Sequence, residues 1–199
     1  MNDTPPSLRD RRRAETTAAV AAAALDLAVE RGWDQVTVDE VAERAGISRR
    51  TFFNYFATKD EALFHDAMAW RPGALEAFTA SPAPLLDALE DLFVAQADRE
   101  APDRDRAVQV MRLVDGAPEL LPGLLARIAA SEEALAAAVT ARGDVDEFTA
   151  RTVAAVAGAL ARVSGTSWLA GSQPDPLSST RAAWAALRTL VTTTDRRTP

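Results

Sequence analysis

The segment from Thr37 to Phe56 constrains the fold most, because two short helical patterns flank a single glycine there. It opens with Thr37-Val38-Asp39-Glu40, a capping-box sequence in which the Thr and Glu side chains bond to each other's backbone N–H groups. Apolar residues then recur at the spacing of one buried helix face: Val38, Val41, Ala42 and Ala45. Gly46 follows directly, as expected where a helix ends in a positive φ. The pattern predicts a helix, a tight turn and a second helix.

The second helix of this segment has a clear apolar side. Ile47 is expected to pack into the core below the turn, and Ser48 is expected to cap the helix that follows. Phe52 and Phe56 are four residues apart, so their side chains share one helix face and predict its buried side. A short bracing helix, a glycine turn and a second short helix form the layout of a helix-turn-helix.

The other side of this helix is polar. Arg50 and Asn54 lie roughly opposite Phe52, and Arg49 and Phe53 flank them. In the major groove of DNA, arginine makes bidentate contacts to guanine and asparagine makes them to adenine. This pattern favours a DNA-reading face. The alternative is that the two arginines are an ordinary solvated pair.

The stretch WDQVTVDEVAERAGISRRTFFNYFATKDEAL resembles the N-terminal domain of TetR-family regulators, and the resemblance covers about residues 8–64. The matching elements are Gly32-Trp33, Thr37-Val38, Val41-Ala42, Ala45-Gly46-Ile47-Ser48, Thr51-Phe52, Tyr55-Phe56, Lys59 and Leu63. Phe53 departs from the family, which usually has tyrosine there, so a hydroxyl often used on DNA is absent. Tyr55 is similar to the second DNA-contacting tyrosine of the family.

This resemblance implies a set of residues that contact double-stranded DNA: Thr37, Ser48, Arg49, Arg50, Thr51, Phe53, Asn54, Tyr55 and Lys59. Within that set, Thr51, Tyr55 and Lys59 would contact phosphates. The resemblance also implies a ligand-responsive transcription regulator that acts as a repressor. We expect it to bind a palindromic operator as a homodimer and to be released by a small effector.

Helical spacing continues through nearly the whole chain, without strand alternation or hairpin signals. A short disordered arm is expected before a first helix that starts near residue 8. A fourth helix is expected from Thr58 to about residue 79. Proline and glycine breaks then separate helices at about 84–100, 104–115, 119–141, 145–170 and 177–193. The prediction is an all-α fold of about nine helices.

Two domains are expected, a helix-turn-helix domain over residues 1–60 and a helical ligand-binding and dimerisation domain over residues 61–199. In the family, the last two long helices form a four-helix bundle with a partner subunit. Two stripes could serve this purpose: Val153, Ala154, Ala157, Gly158 and Ala161 on one helix, and Ala182, Ala183, Ala186, Leu187 and Leu190 on the other. The alternative is that both stripes fill the core of the monomer.

The effector pocket is expected among the central helices. Its candidate lining residues are apolar: Phe78, Leu89, Phe93, Val110, Met111, Val114, Leu124, Ile128 and Trp168. A residue of this kind is more often part of the core than of a pocket lining, so the core remains the alternative for each. The stretch SRRTFFNYFATKDEALF resembles the mycofactocin-associated branch of the family, which implies an acyl-CoA-like effector. A cationic drug or a phenolic compound remains an alternative.

The net charge of −7 is unusual for a DNA-binding protein. Residues 1–60 are nearly neutral, however, with nine basic and ten acidic residues, and their cations are clustered at 9–13 and 49–59. Local clusters can supply phosphate contacts even when the rest of the protein is acidic. Charge therefore permits DNA binding without demonstrating it.

Composition argues against an enzyme. The chain has no cysteine and one histidine, so thiolate sites and paired Glu-x-x-His di-iron sites cannot form, and no metal or cofactor is expected. Phosphate-binding glycine loops are absent as well. Without a membrane-length apolar run or a signal peptide, the expected location is the cytoplasm. The remaining alternative is a helical protein–protein adaptor, which the acidic body would suit.

Overall fold

The structure is a computed structural model that describes residues 8–65, 69–98 and 104–195. All regular structure in these ranges is helical, as predicted. The α-helices are α1 Leu8–Arg31, α2 Val38–Arg44, α3 Arg49–Phe53, α4 Lys59–Leu63, α5 Ala74–Ala80, α6 Leu85–Ala97, α7 Arg104–Gly116, α8 Leu121–Arg142, α9 Glu147–Leu169 and α10 Pro176–Asp195. Short 3₁₀ turns cover Trp33–Gln35 and Pro118–Leu120. The predicted disordered arm lies outside the described residues.

The helices predicted after residue 80 are confirmed, with ends that differ by three residues or fewer. The continuous fourth helix is wrong, because α4 ends at Leu63 and α5 begins at Ala74. Pro72 lacks a backbone N–H and disfavours helical angles at Arg71. Gly73 is the N-cap of α5 and adopts φ 76°, a left-handed conformation that the interior of a helix does not contain. Both signals were present in the sequence and outweigh its helical spacing. None of the described helices is long and apolar enough to cross a membrane.

The chain forms two compact units. The first comprises Met1–Ala69 together with Val108–Ile128, and the second comprises Trp70–Ala107 together with Ala129–Pro199. The sequence-based division after residue 60 assigned Val108–Ile128 to the second domain. In the structure, that segment buries apolar side chains in the core of the first unit, which explains the difference.

The first unit is built around α1. One face of α1 is fully buried, including Val20, Ala24 and Leu27, and it packs against side chains of α2, α3 and α4. Leu120, which lies in the segment after α7, is also fully buried in this core. The result is a small apolar core that holds three short helices against one long one.

The second unit has its own core, formed by α5, α6, α8, α9 and α10. Three aromatic rings form a chain through it, because Phe93 lies 5.3 Å from Trp70 and 5.7 Å from Trp184 between ring centroids. The Trp70 indole N–H donates to the Ser131 carbonyl at 3.1 Å, so its polar group is satisfied.

Arg142 fastens the loop between α5 and α6 to the end of α8. Its guanidinium donates to the carbonyls of Phe78, Ser81 and Ala83 at 2.7–3.0 Å and to the carboxylate of Asp144 at 2.8 Å. The side chain is 6% exposed. Because the loop carbonyls lose a charged donor if Arg142 is removed, this contact is costly to delete.

We expect Arg142→Ala to destabilise the second unit by about 3–5 kcal/mol, since the partly buried Ser81 and Ala83 carbonyls lose their charged donor and Asp144 loses its ion-pair partner. Urea unfolding followed by tryptophan fluorescence measures the change. Arg151→Ala, which removes the same charge from an exposed position, is the control. Equal unfolding midpoints for the two variants would contradict this role for Arg142.

Candidate nucleic-acid interface

The turn between α2 and α3 has the predicted geometry. The capping box is complete, because the Glu40 N–H donates to the Thr37 hydroxyl and the Thr37 N–H donates to the Glu40 carboxylate. Gly46 adopts φ 71°, and the Ile47 N–H donates to the Ala42 carbonyl at 2.9 Å. The Thr51 N–H donates to the Ser48 hydroxyl at 3.0 Å and caps α3. These local contacts fix the angle at which α3 leaves α2.

The apolar face of α3 points inward, as predicted. Phe52 is 0% exposed and Phe56 is 2% exposed, and their ring centroids lie 5.6 Å apart. Ile47 is half-buried and packs against the same core. The opposite face of α3 is consequently left on the surface of the first unit.

The predicted DNA-contacting residues fall into two groups by the solvent exposure of their side chains. Arg49, Arg50, Phe53 and Asn54 are exposed, as are Thr37 and Ser48, whereas Thr51, Tyr55 and Lys59 are half-buried. Asn54 lies just beyond α3, and its N–H donates to the Arg50 carbonyl at 3.2 Å, so the two residues are one turn apart. The face can therefore present an arginine and a side-chain amide together.

The hydroxyls of this surface have local partners. Thr37 donates its hydroxyl to Glu40 at 2.8 Å, and the hydroxyls of Ser48 and Thr51 lie 2.8 Å apart. The hydrogen bonds from Thr37 hold the pKa of the Glu40 carboxyl below its usual range. Because that pKa is lowered on folding, its stabilising contribution is present at neutral pH and is lost as the pH falls through the folded value.

Arg49 is held in place by two neighbours. Its Nη1 donates to the Asp39 carboxylate of α2 at 2.6 Å, and its guanidinium lies 5.3 Å from the Phe53 ring centroid. The sequence did not single out Asp39, because nothing in the spacing between α2 and α3 shows which side chains meet across the turn.

Arg13 of α1 joins the same surface. Its guanidinium lies 5.2 Å from the centroid of the Tyr55 ring. The sequence placed Arg13 in a basic cluster but did not connect it with Tyr55, which lies in the loop after α3. The contact brings a cation from α1 beside the tyrosine that the resemblance assigns to phosphate.

Lys59 has structural partners. Its ammonium donates to the carbonyls of Trp33 and Val36, both at 2.8 Å, and lies 4.5 Å from the Trp33 ring centroid. Next to it, the Trp33 indole N–H donates to Asp60 at 2.9 Å. Two of the three ammonium N–H groups are thus committed to the fold, and the predicted phosphate contact has the third available.

Lys59→Met should destabilise the first unit by about 2–4 kcal/mol, because it removes two charge-assisted hydrogen bonds from partly buried carbonyls. The thermal midpoint measured by circular dichroism reports this loss. Arg12→Met removes a charge from an exposed site on α1 and serves as the control. An unchanged thermal midpoint for Lys59→Met would show that the hydrogen bonds from Lys59 to the Trp33 and Val36 carbonyls contribute nothing to folding stability.

The predicted pocket residues are divided between the two units. Phe78, Leu89 and Phe93 lie in the core of the second unit, whereas Val114 and Leu124 belong to the core of the first. Ile128 is half-buried and Met111 is exposed. Trp168 is buried in the second unit beside Arg104, whose guanidinium is 5.9 Å from its ring centroid. The Val110 side chain lies outside the described residues.

An open cleft of about 300 Å³ is present between α8 and α9 of the second unit. Two carboxylates, one guanidinium and three alanines line this cleft. The lining residues are Ala129, Glu132, Glu133, Ala136, Arg151 and Ala154. None of the predicted pocket residues contributes to it.

The small-residue stripe predicted to face a partner on α9 points into the monomer. Ala154 and Ala157 are each 1% exposed, and Val153 and Ala161 pack against the same core. A Cβ added at Gly158 would lie 2.5 Å from the Glu132 carboxylate, so Gly158 also faces α8. On α10, Ala183 and Leu187 pack inward, whereas Ala182, Ala186 and Leu190 are exposed. For these α9 residues, the core alternative is therefore correct.

The exposed side of α9 is also apolar. Phe148 is 81% exposed, Val156 is 44% exposed and Val163 is 56% exposed. Ala155 lies among them and is exposed as well. On α10, Leu190 is 68% exposed. The α9 side chains recur at helical spacing on one side of that helix, and exposed apolar side chains of this kind can supply the contacts of a protein interface. We call this set the α9–α10 face.

Two protein families match the chain. Residues 20–66 match the family described as bacterial regulatory proteins, tetR family. Residues 83–192, more than half of the chain, match the MftR C-terminal domain. The first match contains α2, α3 and the capped turn between them, and the second contains most of the second unit.

Curated relatives and solved structures agree with these matches. The chain is 32% identical over 181 residues to the HTH-type transcriptional regulator TcmR of Streptomyces glaucescens, covering 85% of this chain and 80% of that protein. It is 32% identical over 149 residues to a protein of Mycobacterium tuberculosis named as the mycofactocin biosynthesis regulator MftR, covering 72% and 75%. The fold is similar to Thermus thermophilus FadR in complex with lauroyl-CoA, with a TM-score of 0.51, 24% identity and coverage of 88% and 93%. The chain therefore belongs to the TetR family of bacterial transcriptional regulators, whose helix-turn-helix is the surface formed by α2 and α3.

Proposed function

We propose that this regulator is a repressor that binds a palindromic operator as a homodimer and is released by a small apolar effector of the acyl-CoA type. The observation that carries the DNA-binding part is the exposed set of Arg49, Arg50 and Asn54 on a face whose opposite side is buried through Phe52. These side chains match the donors that read bases in the major groove.

The α9–α10 face supports the dimer. An isologous interface places the same surface patch of both subunits together, and two long helices with an apolar exposed side can supply such a patch. A dimer of this kind would hold two recognition helices at a fixed spacing. The same spacing would then be imposed on the two half-sites of the operator.

The effector class rests on two similarities. Residues 83–192 match the MftR C-terminal domain, and a structure of similar fold was solved with lauroyl-CoA. The acyl chain of such a ligand needs apolar contacts, and we assign these to Phe78, Leu89 and Phe93 in the core of the second unit. The open cleft between α8 and α9 carries two carboxylates and one arginine, an unfavourable environment for the phosphates of coenzyme A.

The proposed mechanism is a change in the distance between the two recognition helices of the dimer. Effector binding would favour a state in which both helices no longer enter adjacent grooves. Allosteric coupling of this kind is reciprocal, so the operator must weaken effector binding by the same factor by which the effector weakens operator binding.

Titration of the protein with lauroyl-CoA, with and without operator DNA, tests this mechanism. We expect an operator affinity at least about fivefold lower at saturating lauroyl-CoA, and an equally large loss of lauroyl-CoA affinity when operator is bound. Free coenzyme A controls for binding through the phosphates. Equal lauroyl-CoA affinities in both states would exclude coupling, and no binding would exclude this effector class.

A further inference from the structure

Asp39, Arg49 and Phe53 form one connected group on the α2–α3 surface. The Arg49 guanidinium is 2.6 Å from the Asp39 carboxylate and 5.3 Å from the Phe53 ring centroid, and all three side chains are exposed. We propose that this group is a preassembled base reader. Arg49 contacts a guanine, Phe53 packs on the methyl group of an adjacent thymine, and Asp39 is the positioning residue. The proposal rests on the operator binding proposed above.

The hydrogen-bonding capacity of Arg49 fits this role. Its Nη1 is engaged by Asp39, and the described residues supply no partner for the edge formed by Nε and Nη2. That edge carries two parallel N–H groups, the arrangement that matches O6 and N7 of guanine. Asp39 thus occupies one side of the guanidinium and leaves a bidentate edge available for a base.

Asp39 lies in the first turn of α2, where its charge suits the helix N-terminus, but its ion pair with Arg49 adds little to folding. Its side chain is 65% exposed and that of Arg49 is 58% exposed, and exposed ion pairs contribute little to folding. A carboxylate beside DNA also repels phosphates, which lowers affinity for every sequence equally. A fixed guanidinium, in contrast, loses less side-chain freedom when it binds the correct base. The position of Asp39 therefore favours selectivity over affinity.

The neighbouring Arg50 provides an internal comparison. It is exposed, and the described residues provide it with no ion pair or side-chain hydrogen bond. Its guanidinium can adapt to whichever base or phosphate lies nearby. The two arginines thus differ in preorganisation although they are adjacent and carry the same charge.

The Phe53 side chain packs against the core of the first unit through the Phe52 ring. It is 47% exposed, and its ring meets the buried Phe52 ring edge to face, with centroids 5.4 Å apart and an interplanar angle of 83°. Phenylalanine has no hydroxyl to donate to a phosphate, but its ring makes the apolar contact that the thymine methyl group requires. A thymine beside the guanine read by Arg49 would be selected through that methyl group.

Selection of binding sites from a random duplex pool tests the role of Asp39. The wild-type chain should enrich a guanine with an adjacent thymine in each half-site. We expect Asp39→Asn to reduce the preference for that guanine about tenfold, because the guanidinium is no longer fixed. Glu43→Gln is the matched control, since it removes the same charge from an exposed position one turn later on α2. Both variants should bind random DNA more tightly, but only Asp39→Asn should lose the guanine preference.

Replacing thymine by uracil in the selected site tests the role of Phe53, because it removes only the methyl group. Wild-type affinity should fall about threefold or more, whereas Phe53→Ala should bind both duplexes equally. Circular dichroism confirms that each variant is folded.

Two results would overturn this inference while operator binding stands. One is an unchanged preference for guanine in Asp39→Asn, and the other is equal wild-type affinity for the thymine and uracil duplexes. Failure of the wild-type chain to enrich any sequence overturns the proposed function itself, and this inference with it.

Discussion

Val163→Glu is expected to convert the protein into a monomer and to lower its operator affinity by about 100-fold or more. Val163 is 56% exposed on the α9–α10 face and lies on the same side of α9 as Phe148. In a dimer built on this face, the glutamate would be buried without a partner, which opposes association strongly. A monomer then binds one half-site at a time and loses the gain from simultaneous contact with both.

Sedimentation velocity and titration against a two-half-site operator measure these two effects. Leu125→Glu provides a matched control, because Leu125 is 60% exposed on α8, lies in the first unit and is not part of the α9–α10 face. The control should remain dimeric with unchanged affinity. A dimeric Val163→Glu variant would show that the subunits associate through another surface.

Arg50→Ala is expected to lower affinity for the operator about 10- to 100-fold while leaving the fold and the dimer intact. The side chain is exposed, so its truncation removes no core contact. A base contact made by Arg50 should be lost at one position of each half-site. A phosphate contact would instead weaken all sequences together and reduce the salt dependence of binding.

Fluorescence anisotropy at several salt concentrations separates these two outcomes. Arg112→Ala is the control, because Arg112 is exposed on α7 within the first unit but outside the helix-turn-helix. Its removal changes the net charge by the same amount. Equal affinity losses in the two variants would mean that Arg50 acts only through overall charge.

The helix-turn-helix could be predicted closely because its signals are local. The capping box at Thr37, the positive φ at Gly46 and the spacing of Phe52 and Phe56 each act within a few residues, and the structure retains all of them. The start of α5 depends on equally local signals, because Pro72 and Gly73 interrupt the helical spacing directly before Ala74.

The role of Lys59 depends on contacts that spacing does not encode. Its partners, Trp33 and Val36, lie more than twenty residues away in the sequence, and they meet it only when α1 and α4 pack together. The pairing of Asp39 with Arg49 across the turn is a further example. Local sequence determines which helix a charged residue occupies, whereas tertiary packing determines its partner.

The inward side of α9 was also ambiguous in the sequence. This helix has small residues on one face and larger apolar residues on another, so its periodicity indicates two apolar sides without ranking them. The structure buries Ala154 and Ala157 and leaves Phe148 exposed. Close approach of α8, α9 and α10 requires the small residues inside, and the larger side chains are consequently left on the surface.

Base reading by the exposed face of α3 can be tested by selecting DNA from a random duplex pool with the wild-type protein. We expect an enriched palindrome whose half-sites are centred about 34–36 Å apart, or a multiple of that distance. Enrichment of no sequence, or of a site that binds Arg50→Ala and Asn54→Ala variants as tightly as the wild-type chain, would contradict it.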